Sequence, residues 1–206
     1  MSPVEFARRV IGGNRAIASR ITPYFARTPL TPNQITTLSL AAGLAAAFCF
    51  TGGTRASLFE GAALLQLSFI LDNCDGDIAR LKGLSSSFGM WFDFVCDLLV
   101  EFAVWTGLAL GAVAQGLSAR QMFWLAGAAC LASFLNFLRV IWERICARPS
   151  KKSFAGAGGV FDALSHDGDP TLFIWIMAAA GYPGYFLLLG ASYMGILWIV
   201  SLFRSR

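Results

Sequence analysis

The chain has 206 residues, 56% of them hydrophobic and only 14% charged, with a net charge of +4. A soluble domain carries roughly 25% charged residues, so an ordinary water-soluble fold is excluded, and the long apolar blocks read as a polytopic membrane protein. No Lys/Arg run interleaved with aromatics points to nucleic acid, and the five cysteines (Cys49, Cys74, Cys96, Cys130, Cys146) lack metal-type spacing and read as small free hydrophobes.

Residues 1–30 come first. Val4, Ala7, Ile11, Ile17 and Ile21 can share one helical face, while Arg8, Arg9, Arg15 and Arg20 lie largely elsewhere. That pattern predicts an interfacial amphipathic helix, which Gly12-Gly13-Asn14 can interrupt. The segment lacks the short apolar core of a cleavable signal peptide, so none is expected. Thr31-Pro32-Asn33 marks a turn with proline leading into a helix.

Apolar runs then cover about residues 34–52, 56–81, 88–113 and 121–142. Each is long enough for a hydrocarbon core of about 30 Å at about 1.5 Å per residue. Residues 143–169 form a polar connection, and Asp169-Pro170 offers an N-cap carboxylate followed by proline at the first helical position. The last stretch, 170–203, is too long for one ordinary span, and Gly181-Tyr182-Pro183-Gly184 divides it into a short fifth and a sixth helix. The predicted fold is an all-α integral membrane protein with six transmembrane helices, residues 31–206 forming one membrane domain, plus the N-terminal interfacial amphipathic helix.

Charge tests this plan. With the N-terminus inside, the inner segments hold every Lys and Arg except Arg55 and Arg120. This positive-inside bias supports an even helix number and predicts that both termini are cytoplasmic.

Carboxylates sit where they are expensive. Asp72, Asp75, Asp77, Asp93, Asp97 and Glu101 lie in or beside apolar runs, and intramembrane acids mark function by default. Asp72 and Asp75 share a helical face, as do Asp93 and Asp97. The short loop containing Gly83 and Ser85-Ser86-Ser87 predicts that the two helices are antiparallel neighbours whose acids converge at the cytoplasmic boundary. Four like charges there repel, and two divalent hard cations would neutralise them; all-oxygen ligation suits Mg2+ or Mn2+. Such a centre typically clamps a phosphate. Gly76, Ala79 and Gly89 leave room for a ligand, and Arg80 offers donors to a phosphate. Asp77 suits a ligand role or a solvated edge equally, and Glu101 suits either the site or helix packing.

The spacing Asp72-x-x-Asp75-Gly76-x-x-Ala79-Arg80, eight residues, Gly89-x-x-x-Asp93-x-x-x-Asp97 resembles the signature of the CDP-alcohol phosphotransferases. Thr31-Pro32-Asn33-Gln34-Ile35-Thr36 is similar to the start of that family's first membrane helix. The resemblance implies a phospholipid-synthesising membrane homodimer that splits a CDP anhydride, releases CMP and joins the remaining phosphoryl group to an alcohol. It implies metal ligation by Asp72, Asp75, Asp93 and Asp97, with Asp97 also the catalytic base. It places Asn33, Asp72, Gly76, Ala79, Arg80 and Gly89 around the CDP moiety.

Cys74 to Lys82, Gly89 to Asp93 and Asp169 to Phe173 look most like inositol-phosphate-using members such as di-myo-inositol-phosphate-phosphate synthases. Those relatives tend to carry Arg where this chain has Gly168 and Leu98. Arg139, Arg144 and Arg148 can replace those basic groups or serve as ordinary inner charge. Glu101 joins Arg139 and Arg144 as an acceptor candidate. His166, the only histidine, fits a solvated loop better than a metal site.

The favoured donor is CDP-diacylglycerol and the favoured acceptor a small polar alcohol such as an inositol or glycerol derivative. A soluble CDP-alcohol with a lipid or polyol acceptor uses the same motif. A cation-coupled transporter is the alternative of another class, disfavoured because the acids gather toward one side.

Overall fold

Hydroxyl side chains set the helix starts. Thr31 caps the helix that begins at Pro32, in a capping box with Gln34; Thr54 does the same with Ser57; the Ser86 hydroxyl accepts from Gly89 N–H. In the computed structural model, which describes residues 13–146 and 171–192, the elements are all helical. They are α1 (Gly13–Ala26), α2 (Pro32–Thr51), α3 (Arg55–Leu81), α4 (Ser87–Ala114), α5 (Ala119–Cys146) and α6 (Thr171–Ala180). A last helix, α7, is described over residues 183–192.

Of the six expected spans, three are met by length and apolarity among the described residues: α2, α4 and the Ala119–Arg139 part of α5. α3 is long enough at 27 residues, but its last turns carry Asp72, Asp75, Asp77 and Arg80. α6 has 10 residues, about half the length a span requires. Residues 193–206 of the sixth run lie outside the described residues, as do Val4, Ala7, Ile11 and the 147–170 connection with Arg148, His166 and Gly168.

α2 is the central helix, packed against both α3 and α4. Its approach to α4 depends on small residues. A Cβ on Gly107 or Gly111 would collide with the backbone carbonyls of Ala47 and Phe50, and one on Gly43 would lie 2.6 Å from the Val100 methyls. This is the close backbone packing that small residues allow where lipid removes the usual hydrophobic drive. On its other side, the Ser39 and Ser68 hydroxyls each donate to the other residue's carbonyl at 2.9 Å, locking α2 to α3. The main core, with Phe50, Leu58 and Leu108 fully buried, lies beyond this lock.

The ends of the bundle are distinct. At one, the Gln115 amide donates to Gly53 O at 2.6 Å and Gly181 O at 2.7 Å, gathering three turns. The opposite end holds Thr31, the α3–α4 loop and the acid cluster.

α1 runs beside the second half of α3. Asn14, Ala18 and Thr22 are buried, whereas Ile17 and Tyr24 are exposed. The reason lies on α3. Gln66 donates to Asn14 and accepts from the Trp175 indole at 3.0 Å, and the Cys74 thiol points at Ala18 O. Polar groups taken out of water need partners, so α1 turns Asn14, Ala18 and Thr22 inward and leaves Ile17 and Tyr24 outside, while Ile21 and Phe25 are half-buried against the Ala18–Leu71–Cys74 cluster.

Candidate active site: a carboxylate cleft between α3 and α4

α3 and α4 are joined by a tight loop, with Gly83 at φ 65°. They are the expected loop-linked neighbours, with few backbone contacts along their length; α2 lies against both, and the acids of the two helices approach one another near the loop end. Four carboxylates repel one another, and close packing of the two backbones would leave no space for anything between them.

Asp72, Asp75 and Asp93 each direct a carboxylate oxygen inward, the three oxygens lying within 4.8 Å of one another. An all-oxygen set at this separation fits a divalent hard cation. Asp75 is buried, Asp72 and Asp93 are half-buried, and Asp97 is exposed. Asp97 stands beside the triad, close enough to Asp72 for the two carboxylates to interact. The four motif acids therefore converge as the spacing predicted, with Asp97 as the open member.

Asp75 is held from α2, where the Thr36 hydroxyl hydrogen-bonds its Oδ2. Thr36 stands in the family-like Thr31–Thr36 segment, which alone gives it no part. Its signal was a hydroxyl one turn after Asn33, in the polar first turns of α2. Asn33 itself reaches the cleft wall: a Cβ on Gly89 would lie 3.2 Å from Asn33 Oδ1. Space beside Gly76 is bordered only by the Arg80 guanidinium, at 3.7 Å from a built Cβ. That glycine is not needed for helix packing, and its open side is compatible with a ligand.

Asp77 does not join the triad. It is ion-paired with Arg80 along the edge of α3, the Arg80 side chain being 64% exposed. Exposed pairs at helical spacing contribute only ~0.3–0.5 kcal/mol, so the pairing orients Arg80 more than it stabilises the helix. Ala79 is half-buried in the same turn.

Glu101, one turn beyond Asp97, accepts from Ser133 Oγ of α5 at 2.6 Å. Ser133 is the second residue that the sequence did not signal, a small hydroxyl in an apolar run. Arg139 is half-buried about 9 Å further along the α5 axis. Arg144 continues that helix, its side chain outside the described residues.

A model of the CDP-alcohol phosphatidyltransferase family matches residues 29–203. The chain is 38% identical over 137 residues to a bifunctional IPC transferase and DIPP synthase of Rubrobacter xylanophilus, covering 66% of this chain and 29% of that protein. It thus spans under a third of that relative's length. It is 30% identical over 172 residues to a phosphatidylinositol phosphate synthase of Mycobacterium marinum, covering 82% of this chain and 67% of that one. The crystal structure of Mycobacterium tuberculosis phosphatidylinositol phosphate synthase, in complex with manganese and citrate, shares the fold at TM-score 0.54 and 23% identity, over 84% of this chain and 88% of that one. With the signature spacing, the acid-lined cleft and a family match over nearly its whole length, the chain belongs to the CDP-alcohol phosphatidyltransferases and is an enzyme of that class.

Proposed function

We propose that the protein transfers a phosphatidyl group from CDP-diacylglycerol to the hydroxyl of a small polar alcohol of the inositol phosphate class, releasing CMP. The observation that carries this reading is the cleft in which Asp72, Asp75 and Asp93 gather their oxygens beside an open Asp97. The named synthase relatives and the match over residues 29–203 support it.

In this reading Asp72, Asp75, Asp93 and Asp97 hold two divalent cations, Mg2+ or Mn2+. Bound there, the cations would offset the charge of the CDP diphosphate and polarise the phosphoryl group under attack. Asn33, Gly76, Ala79, Arg80 and Gly89 form the CDP pocket: the glycines leave room, and the Arg80 fork reaches a phosphate oxygen from the cleft edge. Asp97 accepts the proton of the acceptor hydroxyl, a poor nucleophile until a positioned base assists it. Its exposure gives an incoming alcohol access. Phosphoryl transfer needs little else from the protein beyond position and charge.

Arg139, Arg144 and Glu101 form the acceptor side, the two arginines standing in for the basic groups absent at Leu98 and Gly168. The charge bias supports a cytoplasmic cleft and cytoplasmic termini, in what we read as a six-span homodimer. Light scattering of the detergent-solubilised protein checks the dimer, and cysteine accessibility in intact cells checks the orientation.

The test is a panel of inositol phosphate, inositol, glycerol phosphate and serine with CDP-diacylglycerol and either metal. Metal-dependent lipid product with inositol phosphate is expected. Product from a soluble CDP-alcohol and a lipid hydroxyl instead would reverse the polarity assigned here. Cation flux in proteoliposomes without CMP release would replace the enzyme reading with a transporter.

A further inference from the structure

The lead-in to α2 is fastened to the end of α3 by one side chain. Lys82, the C-cap of α3, is half-buried, and its ammonium donates to Thr28 O at 2.7 Å and to Leu30 O at 2.8 Å. Those carbonyls lie between the end of α1 at Ala26 and the Thr31 cap of α2. Backbone carbonyls outside a helix lack an intrahelical donor and need another partner. An ammonium with three donors can serve two of them at once.

The remaining hydrogen bonds of this linker are local: the Thr28 hydroxyl donates to Phe25 O and accepts from Leu30 N–H. The next turn of α2 carries Asn33, which reaches the Gly89 wall, and Thr36, which holds Asp75. A charge that served only to orient the chain in the membrane would need no fixed partner. Lys82 has two, both backbone, on the segment that delivers two site residues.

We propose that Lys82 is a positioning residue of the CDP site, fixing the approach of α2 so that Asn33 and Thr36 face the acid-bearing ends of α3 and α4. The inference rests on the proposed CDP site. Arginine at 82 keeps the charge and can reach at least one carbonyl, whereas methionine keeps the length and loses both bonds.

The experiment compares full-length wild type, Lys82→Met, Lys82→Arg, Asn33→Ala and the Lys82→Met/Asn33→Ala double variant in lipid nanodiscs. It measures KM for CDP-diacylglycerol and amide hydrogen exchange over residues 27–36. Expected for Lys82→Met are a KM raised about tenfold with kcat within threefold, exchange at least tenfold faster in that segment, and recovery toward wild type in Lys82→Arg. The double variant should be no worse than the weaker single, because both changes disable the same contact. Unchanged exchange in Lys82→Met overturns the fastening. Faster exchange with wild-type KM, or multiplying effects in the double variant, overturns the positioning role. Wild-type protein that releases no CMP sinks the functional reading by itself, while exchange still decides the fastening. Should Lys82→Met not fold, Lys82→Gln gives the same comparison.

Discussion

The Thr36 hydroxyl donates a hydrogen bond to the Asp75 carboxylate across the α2–α3 interface. Hydrogen bonds to charged groups contribute roughly 1.5–3 kcal/mol, and every ~1.4 kcal/mol is tenfold in rate if it is felt in the transition state. Thr36→Val should therefore lower kcat/KM by about 10- to 100-fold, and Thr36→Ser should stay within a few-fold of wild type. Steady-state kinetics of the two variants checks this, with unchanged activity in Thr36→Val separating Thr36 from the reaction.

Gly89 faces Asn33 with little clearance. Gly89→Ala should push the Asn33 side chain by a few tenths of an ångström and raise the KM for the CDP donor several-fold or more. Because alanine favours the helix, the melting temperature should not fall. A drop in stability with an unchanged KM would show that Gly89 serves packing alone.

The acid motif, the α2 cap and the number and order of the described helices were legible in the sequence because each rests on local chemistry: a proline after a hydroxyl, an acid at helical spacing, a glycine at a turn. Two things were not. That α2 lies against both acid-bearing helices depends on which faces are small, and Gly107 and Gly111 matter only once Ala47 and Phe50 are known to face them. The inward strip of α1, Asn14, Ala18 and Thr22, was hidden because apolar periodicity does not single it out; the polar demand of Gln66 and Cys74, more than fifty residues away, selects the buried face. Thr36 and Ser133 were missed for the same reason: Thr36 is one of several hydroxyls in the first turns of α2, Ser133 a small hydroxyl in an apolar run, and neither marks the distant acid that it meets.

The α2–α4 contact predicts a stability effect separate from catalysis. Gly107→Val places a branched side chain against the Ala47 carbonyl, and overpacking typically costs about 1–3 kcal/mol. Thermal melting in detergent should show a clear fall, while the folded fraction keeps its metal requirement. An unchanged melting temperature would mean that the two backbones are further apart than described.

Glu101 and Ser133 separate packing from acceptor binding. If Glu101 serves the acceptor side, Glu101→Gln should raise the acceptor KM severalfold and leave the donor KM alone, because glutamine still accepts from Ser133. If its role is only to join α4 to α5, Ser133→Ala and Glu101→Gln should both leave the acceptor KM unchanged, and Ser133→Ala should lower the melting temperature. Initial rates at varied acceptor, paired with melting curves, distinguish the two.

The most direct test of the central claim is CMP release from CDP-diacylglycerol by the purified, full-length protein with inositol phosphate present. It compares wild type with Asp97→Asn, before and after chelation and metal add-back. Wild type should give CMP and lipid product in equal amounts, lose activity on chelation and regain it with Mg2+ or Mn2+, and Asp97→Asn should be at least a hundredfold slower. Metal-independent CMP release, or an Asp97→Asn variant as fast as wild type, would contradict it.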